Sequence, residues 1–115
     1  MKQYTIESPF GVLADSVRVA DSFWTRFRGL MLQKELPAGE GLLLTDCPAI
    51  HCCFMRFPID AVYLDKNMTV LAKETVNPWH LGRRVPGTVH VLELDKGKAE
   101  GLGPGMNLER KENRR

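Results

Sequence analysis

Apolar residues in this chain come in short runs, and most of the runs alternate with polar positions. Over 89–94, Val89, Val91 and Glu93 fall on one side of an extended chain, and His90, Leu92 and Leu94 on the other. Successive strand side chains point to opposite faces, so this period of two predicts a strand. The same period runs through 59–64, where Asp60, Val62 and Leu64 oppose Ile59, Ala61 and Tyr63. Further strands are predicted over 12–20, 41–45, 50–54, 68–76 and 106–110. Asp65-Lys66-Asn67 supplies the turn of a hairpin between 59–64 and 68–76. Pro58 interrupts the strand pattern before Ile59, because proline donates nothing to a ladder.

One stretch has a different period. Phe23, Trp24, Phe27, Leu30 and Met31 recur at near-helical spacing behind Asp21 and Ser22, whose side-chain oxygens suit an N-cap. A short helix over 22–28 is predicted, ended by Gly29. A single helical turn is predicted over 98–102, and a long loop over 77–88. The fold class predicted is mainly β: a small antiparallel β-sandwich or barrel-like domain with one or two short helices.

With 115 residues, 43% of them apolar, the chain suits one domain with a modest core. The formal net charge is +2, and 109–115 accounts for all of it with four basic and two acidic residues. The expectation is a β-rich body over 1–108 and a basic, flexible tail over 109–115. A balanced body argues against a nucleic-acid partner. No secretory leader is read at the start and no apolar run reaches membrane-spanning length, so the expectation is a cytoplasmic protein with no membrane partner. The three cysteines, Cys47, Cys52 and Cys53, are an odd set with two adjacent, which suits reduced thiols.

Several polar residues sit where strand periodicity predicts a core. Glu93 and Asp60 belong to strands apolar on both sides, and a buried carboxylate needs a partner or a raised pKa. Arg28, between Phe27 and Gly29, and Arg56, between Met55 and Phe57, are arginines in apolar surroundings that such carboxylates would pair with. His51 and Cys53 share a face with Met55, while Cys52 takes the other. A thiol beside an imidazole is the pattern of a nucleophile and its base, and it makes His51, Cys52 and Cys53 the secondary, catalytic candidates. The spacing Cys-x4-Cys-Cys is not a zinc pattern, and no metal or cofactor is expected. In the loop, Trp79, His80, Arg83 and Arg84 offer a stacking ring and cations to an anionic or aromatic molecule.

The linked motifs also resemble a known family. Ala20-Asp21 with Arg26-Phe27-Arg28-Gly29-Leu30-Met31, then Gly39-Glu40-Gly41-Leu42-Leu43-Leu44, come first. Ile50-His51, Met55-Arg56-Phe57-Pro58-Ile59-Asp60-Ala61-Val62-Tyr63-Leu64-Asp65, Val91-Leu92-Glu93-Leu94, Gly97 and Gly101-Leu102 follow in order. Over about residues 17–108 the chain resembles domain of unknown function family 192. Met106 stands where that family commonly has Asp, and Cys52-Cys53 replace a hydroxyl residue and a small or aromatic one. The resemblance implies a small β-sandwich-like fold and groups Arg28, His51, Met55, Arg56, Asp60 and Glu93 as one cluster. It implies no activity.

The leading expectation is a binding module for a small ligand or partner. Its pocket would be lined by Met55, Phe57, Trp79 and an Arg–carboxylate set, with Arg28, His51, Arg56, Asp60 and Glu93 as ligand-binding residues. The alternative is an enzyme with Cys–His or metal-assisted hydrolytic or transfer activity. Neither the ligand nor the oligomeric state is legible in the residues.

Overall fold

The structure, a computed structural model, describes residues 3–20, 36, 39–47 and 57–113. It is mainly β, as the alternation predicts. The strands are β1 (Gln3–Ser8), β2 (Gly11–Ala20), β3 (Glu40–Leu44), β4 (Ile59–Leu64), β5 (Val70–Val76), β6 (His90–Asp95) and β7 (Glu109–Glu112). Among the described residues they form one sheet in the order β5-β4-β6-β3-β2-β1-β7. The sheet is mixed rather than purely antiparallel, because β2 runs parallel to β3. Parallel neighbours need a long connection, and 21–39 supplies it.

The two ends of the sheet come close through one stretch of chain. Val70 N–H donates to Met106 O (2.7 Å), Gly105 N–H to Val70 O (2.8 Å) and Leu108 N–H to Met68 O (2.9 Å). Residues 105–108 thus run against the start of β5, and the next residues pair with β1 at the far side. The sheet bends round on itself without closing into a barrel. Inside the bend lies the larger core: Ile6, Ala14, Val17, Leu43, Val62, Leu64, Val70, Leu92, Leu94, Leu102 and Leu108. Leu42, Leu44, Ile59, Ala61, Tyr63, Val76 and Val91 face the other way, covered by Leu36 and Phe57 with the half-buried Cys47 and Val85. We call these the inner and outer faces.

Gly41 lets β3 and β6 approach closely. A Cβ there would lie 3.0 Å from Leu94 Cδ2 and 3.1 Å from Glu93 O. Two expectations meet a different outcome. Glu109–Glu112, read from sequence as part of a solvated tail, form β7, an exposed edge strand held by backbone pairing with β1. Residues 98–102 make overlapping turns instead of a helical turn, with Glu100 N–H on Gly97 O (3.3 Å) and Leu102 N–H on Ala99 O (3.0 Å). Gly97, at φ 92°, starts that run in a backbone region that helices do not use. The predicted helix over 22–28 and the predicted strand over 50–54 lie outside the described residues, apart from which no helix forms among those described. None is therefore long and apolar enough to cross a membrane.

Candidate functional site

The two carboxylates singled out by sequence belong to opposite faces. In the β4–β6 ladder Asp60 pairs with Leu94, and Ala61 pairs with Glu93. Paired residues share a face, so Asp60 points inward with Leu94 while Glu93 points outward with Ala61.

Asp60, 6% exposed, is occupied by the fold itself. Its Oδ1 accepts from Thr75 Oγ1 (2.8 Å), and its Oδ2 accepts from Gly97 N–H (2.9 Å) and Ala99 N–H (3.0 Å). It fastens the 96–102 turns to β4. Lys73 fastens the same turns to β5, donating to Ala99 O (2.8 Å) and Glu100 O (2.7 Å). A depression of about 260 Å³ lies beside them, lined by Asp60, Lys73, Glu74, Thr75, Gly97, Ala99 and Glu100. The polar side chains lining it that carry bonds are already engaged with backbone or with other side chains of the fold, which makes this a structural latch.

Glu93 is in the reverse situation. It is 5% exposed, its row neighbours are Leu42 on β3 and Ala61 on β4, and among the described residues no group hydrogen-bonds its Oε1. Burial pushes its carboxyl up to about 8. At neutral pH the group therefore holds its proton, and a protonated carboxyl is a hydrogen-bond donor as well as an acceptor. A buried polar atom without a partner costs about 1–3 kcal/mol, and native proteins keep few of them.

The same row continues to β5, where Ala61 pairs with Glu74. Glu93 and Glu74 are therefore two strand spacings apart, roughly 10 Å between backbones, with a methyl group between them. Glu74 Oε2 accepts from the hydroxyl of the fully buried Tyr63 (2.5 Å) and from Arg83 N–H (2.6 Å). Arg83 Nε lies 3.9 Å from Oε1. Burial first, and the Glu74 contact next, raise the Tyr63 pKa and keep its hydroxyl protonated. Sequence reading overlooked Tyr63 and Glu74. Their signal was present in the hairpin, whose register brings the Glu74 face of β5 onto the Tyr63 face of β4.

Residues 77–88 form a strap along this face. Arg83 ties it to Glu74, and Val85 packs against the outer cluster. Thr88 closes it, donating its N–H (3.2 Å) and hydroxyl (2.7 Å) to Val85 O. At its start, His80 N–H donates to Asn77 O (3.1 Å), closing a turn with Pro78 second and Trp79 third. Trp79 has φ 67° there, a position that favours glycine or asparagine. A bulky residue held in left-handed backbone is under strain. The turn nonetheless presents the ring outward, 66% exposed, next to Leu81 at 75%.

Of the sequence-predicted residues, Glu93 faces outward and Asp60 inward, while Trp79 stands exposed on the strap that Arg83 and Val85 hold to the outer face. Arg28, His51, Cys52, Cys53, Met55 and Arg56 lie outside the described residues. The described flanks of their segments, Leu36, Cys47 and Phe57, all pack in the outer cluster. Among the described residues no three His, Cys, Asp or Glu side chains gather to hold a metal ion.

Comparison with known proteins agrees on one family. The model of DUF192, described as Uncharacterized ACR, matches residues 5–110. The UPF0127 protein PH1112 of Pyrococcus horikoshii is 33% identical over 91 residues, covering 76% of this chain and 79% of that protein. The UPF0127 protein PF1050 of Pyrococcus furiosus is 30% identical over 93 residues, covering 75% and 77%. Among solved structures, a Novosphingobium aromaticivorans protein of unknown function superposes with a TM-score of 0.80 at 22% identity, covering 93% of this chain and 83% of that one. A Sinorhizobium meliloti protein, provisionally described as a transcription regulator, gives 0.78 at 22% identity, covering 95% and 92%. At that identity the two structures speak for the fold alone.

Proposed function

The chain belongs to the DUF192 family, and we propose that it works as a small-ligand-binding module whose site is the outer face around Glu93. One observation carries this reading: a carboxyl sunk among Leu42, Ala61 and Val91 has an oxygen with no partner among the described residues. A scaffold gains nothing from such a group, since an apolar residue of similar size would fill the space without the desolvation cost. A ligand that hydrogen-bonds Glu93 removes that cost on binding.

The strap supports the same reading. It carries a strained, outward-facing Trp79, and Arg83 at the Glu74 end of the Glu93 row, pieces that stack on and pair with an anionic or aromatic small molecule. Arg83 and Glu74 form the Arg–carboxylate contact of this site, with Glu74 orienting the strap. On this reading the protein acts in the cytoplasm, where adjacent Cys52 and Cys53 stay reduced, and its balanced body has no nucleic-acid partner.

The test is a thermal-shift screen of small acids, amides and amines against the wild-type chain and the Glu93→Leu and Trp79→Ala variants. Compounds that raise the wild-type midpoint are expected to lose their effect in both variants. A screen in which every stabilising compound works equally on all three proteins would sink the proposal.

A further inference from the structure

The end of β3 leaves its ladder with β6 in an irregular way. Leu44 pairs with Val91, and Cys47 N–H donates to Val89 O (2.8 Å), so three steps on the β3 side answer two on the β6 side. One residue is extra, which is the count of a β-bulge. Asp46 takes up the excess at φ 52°, a left-handed region that aspartate tolerates better than most side chains. Its N–H, turned out of the ladder, donates to His90 Nδ1 (3.2 Å). His90 pairs with Leu64, so its ring is directed inward, and it is half-buried at the start of β6.

An imidazole that accepts at Nδ1 carries its one proton on Nε2, and a second proton can go only to Nδ1. Protonation therefore sets a donor against the Asp46 N–H, and the bond is lost. We propose that His90 is an acid-released pin on the Asp46–Cys47 corner: the neutral ring holds the corner, and the imidazolium lets it go. The chain runs on from this corner into 48–56, which carries His51, Cys52 and Cys53, so the pin governs the point from which that segment departs. Among the described residues four influences act on the ring. Burial, the largest, lowers its pKa below the ordinary 6.5, and Arg110 on β7 acts the same way, while Asp46 and Asp65 favour the cation. Asp65 is held in its own turn, where its Oδ1 accepts from Asn67 N–H (2.8 Å) and Thr69 N–H (3.0 Å). With the folded value below the unfolded one, the pin is fully in place above pH 6.5. Its contribution is lost as pH falls through the folded value, because the unfolded chain takes up the proton more readily.

The readout is local, because buried Glu93 gives global stability a pH dependence of its own. Ring nitrogen shifts of His90 and amide hydrogen exchange of Asp46 and Cys47 are followed in the full chain from pH 7.5 to the end of the His90 titration. The neutral ring is expected to be the Nε2–H tautomer. Protection of the Asp46 amide, corrected for intrinsic exchange, should fall roughly three- to tenfold with the His90 midpoint, the worth of one net hydrogen bond. His90→Asn puts a carbonyl oxygen near the Nδ1 position with nothing to titrate, and should keep the protection constant over the same range. His90→Leu removes the acceptor and should leave the corner weakly protected at every pH. An Nδ1–H tautomer at neutral pH, or Asp46 protection that ignores the His90 midpoint, overturns the proposal, and both are read on the wild-type chain whether or not a variant folds. A His90→Asn chain that loses Asp46 protection in step with wild type overturns it too, since another group would then be responsible.

Discussion

Asp60 and Glu93 sit on neighbouring strands, β4 and β6, one register step apart, yet Asp60 has both oxygens bonded and Glu93 has one with no partner among the described residues. Both are almost wholly buried. The difference comes from what each face offers. The inner end of β4 meets a run of turns with N–H groups to spare, and a carboxylate is the natural acceptor for them. The outer face offers Glu93 a leucine and an alanine. Burial alone therefore does not mark a functional carboxyl; burial without compensation does.

The largest expected effect is on the satisfied side. Asp60→Ala leaves Gly97 N–H and Ala99 N–H without their acceptor and frees the 96–102 turns from β4. The expected cost is about 4–6 kcal/mol, close to the whole stability of many domains this size. Asp60→Asn keeps a carbonyl oxygen for the two N–H groups and should lose far less. Urea unfolding curves of the pair check this. Equal losses would mean that Asp60 acts through its charge rather than through its acceptor geometry.

The unsatisfied side should respond with the opposite sign, and to pH. The Glu93 pKa rises from an ordinary 4.5 to about 8 on folding. Below 4.5 both folded and unfolded chains hold the proton, and the contribution to stability is complete. Between these values the unfolded chain is ionised while the fold keeps its proton, so unfolding releases a proton and rising pH favours it. Stability should fall by roughly 3–5 kcal/mol from pH 4.5 to 8 and then level off. Among the described residues the outer face also carries Arg18, in register with Leu42 two strands from Glu93, Glu40 on β3, the Tyr63–Glu74 pair and Asp95 at the end of β6. Glu93→Gln should flatten the profile, and Glu93→Leu should raise stability at pH 8 by about 1–3 kcal/mol. A wild-type profile flat between pH 5 and 8 would mean that Glu93 is ionised and compensated, and the contrast with Asp60 would vanish.

How much of this contrast was legible in the sequence follows from register. Alternation located β4, β5 and β6, and flagged Asp60 and Glu93 as polar residues in apolar strands. It could not say which residue of β6 lies opposite which residue of β4. A slip of one position would place both carboxylates on one face, which is how the sequence groups them. β1 escaped because only Ile6 in Gln3–Ser8 is buried, leaving almost no pattern. β7 was met only in part, by the strand predicted over 106–110, because Glu109–Glu112 is exposed at every position; an edge strand held by its backbone and guarded by charge looks like a tail. Glu74 looked like an ordinary surface acid, because its role depends on Tyr63 across the hairpin and on a strap residue nine positions later.

A smaller effect tests whether the backbone at Glu93 is set by its neighbour. Gly41 lies opposite Leu94 on the inner face, and its missing Cβ leaves room for Glu93 O and Leu94. Gly41→Ala must push β3 from β6 by a few tenths of an ångström, at an expected cost of about 1–3 kcal/mol. Amide hydrogen exchange should quicken along both strands. If the Glu93-dependent part of the pH profile also shrinks in this variant, the close approach of β3 is part of what keeps that carboxyl dry.

The smallest effect concerns Trp79, where stability and recognition should move apart. Its φ of 67° belongs to a turn position that glycine occupies without strain. Trp79→Gly relieves a cost of about 1–2 kcal/mol, against which glycine adds about 0.5–1 kcal/mol of unfolded-chain entropy. The net change is expected within about 1 kcal/mol, in the stabilising direction. Trp79→Ala removes the ring but keeps a Cβ in the same backbone region, so it should gain nothing. Both variants should weaken binding at the outer face to the same degree, because both delete the indole. A protein that becomes no less stable on losing Trp79, and binds worse, keeps the residue for what its ring meets outside the fold. A large loss of stability in both variants would instead make Trp79 an anchor of the strap, and the outer face would then rest on Glu93 alone.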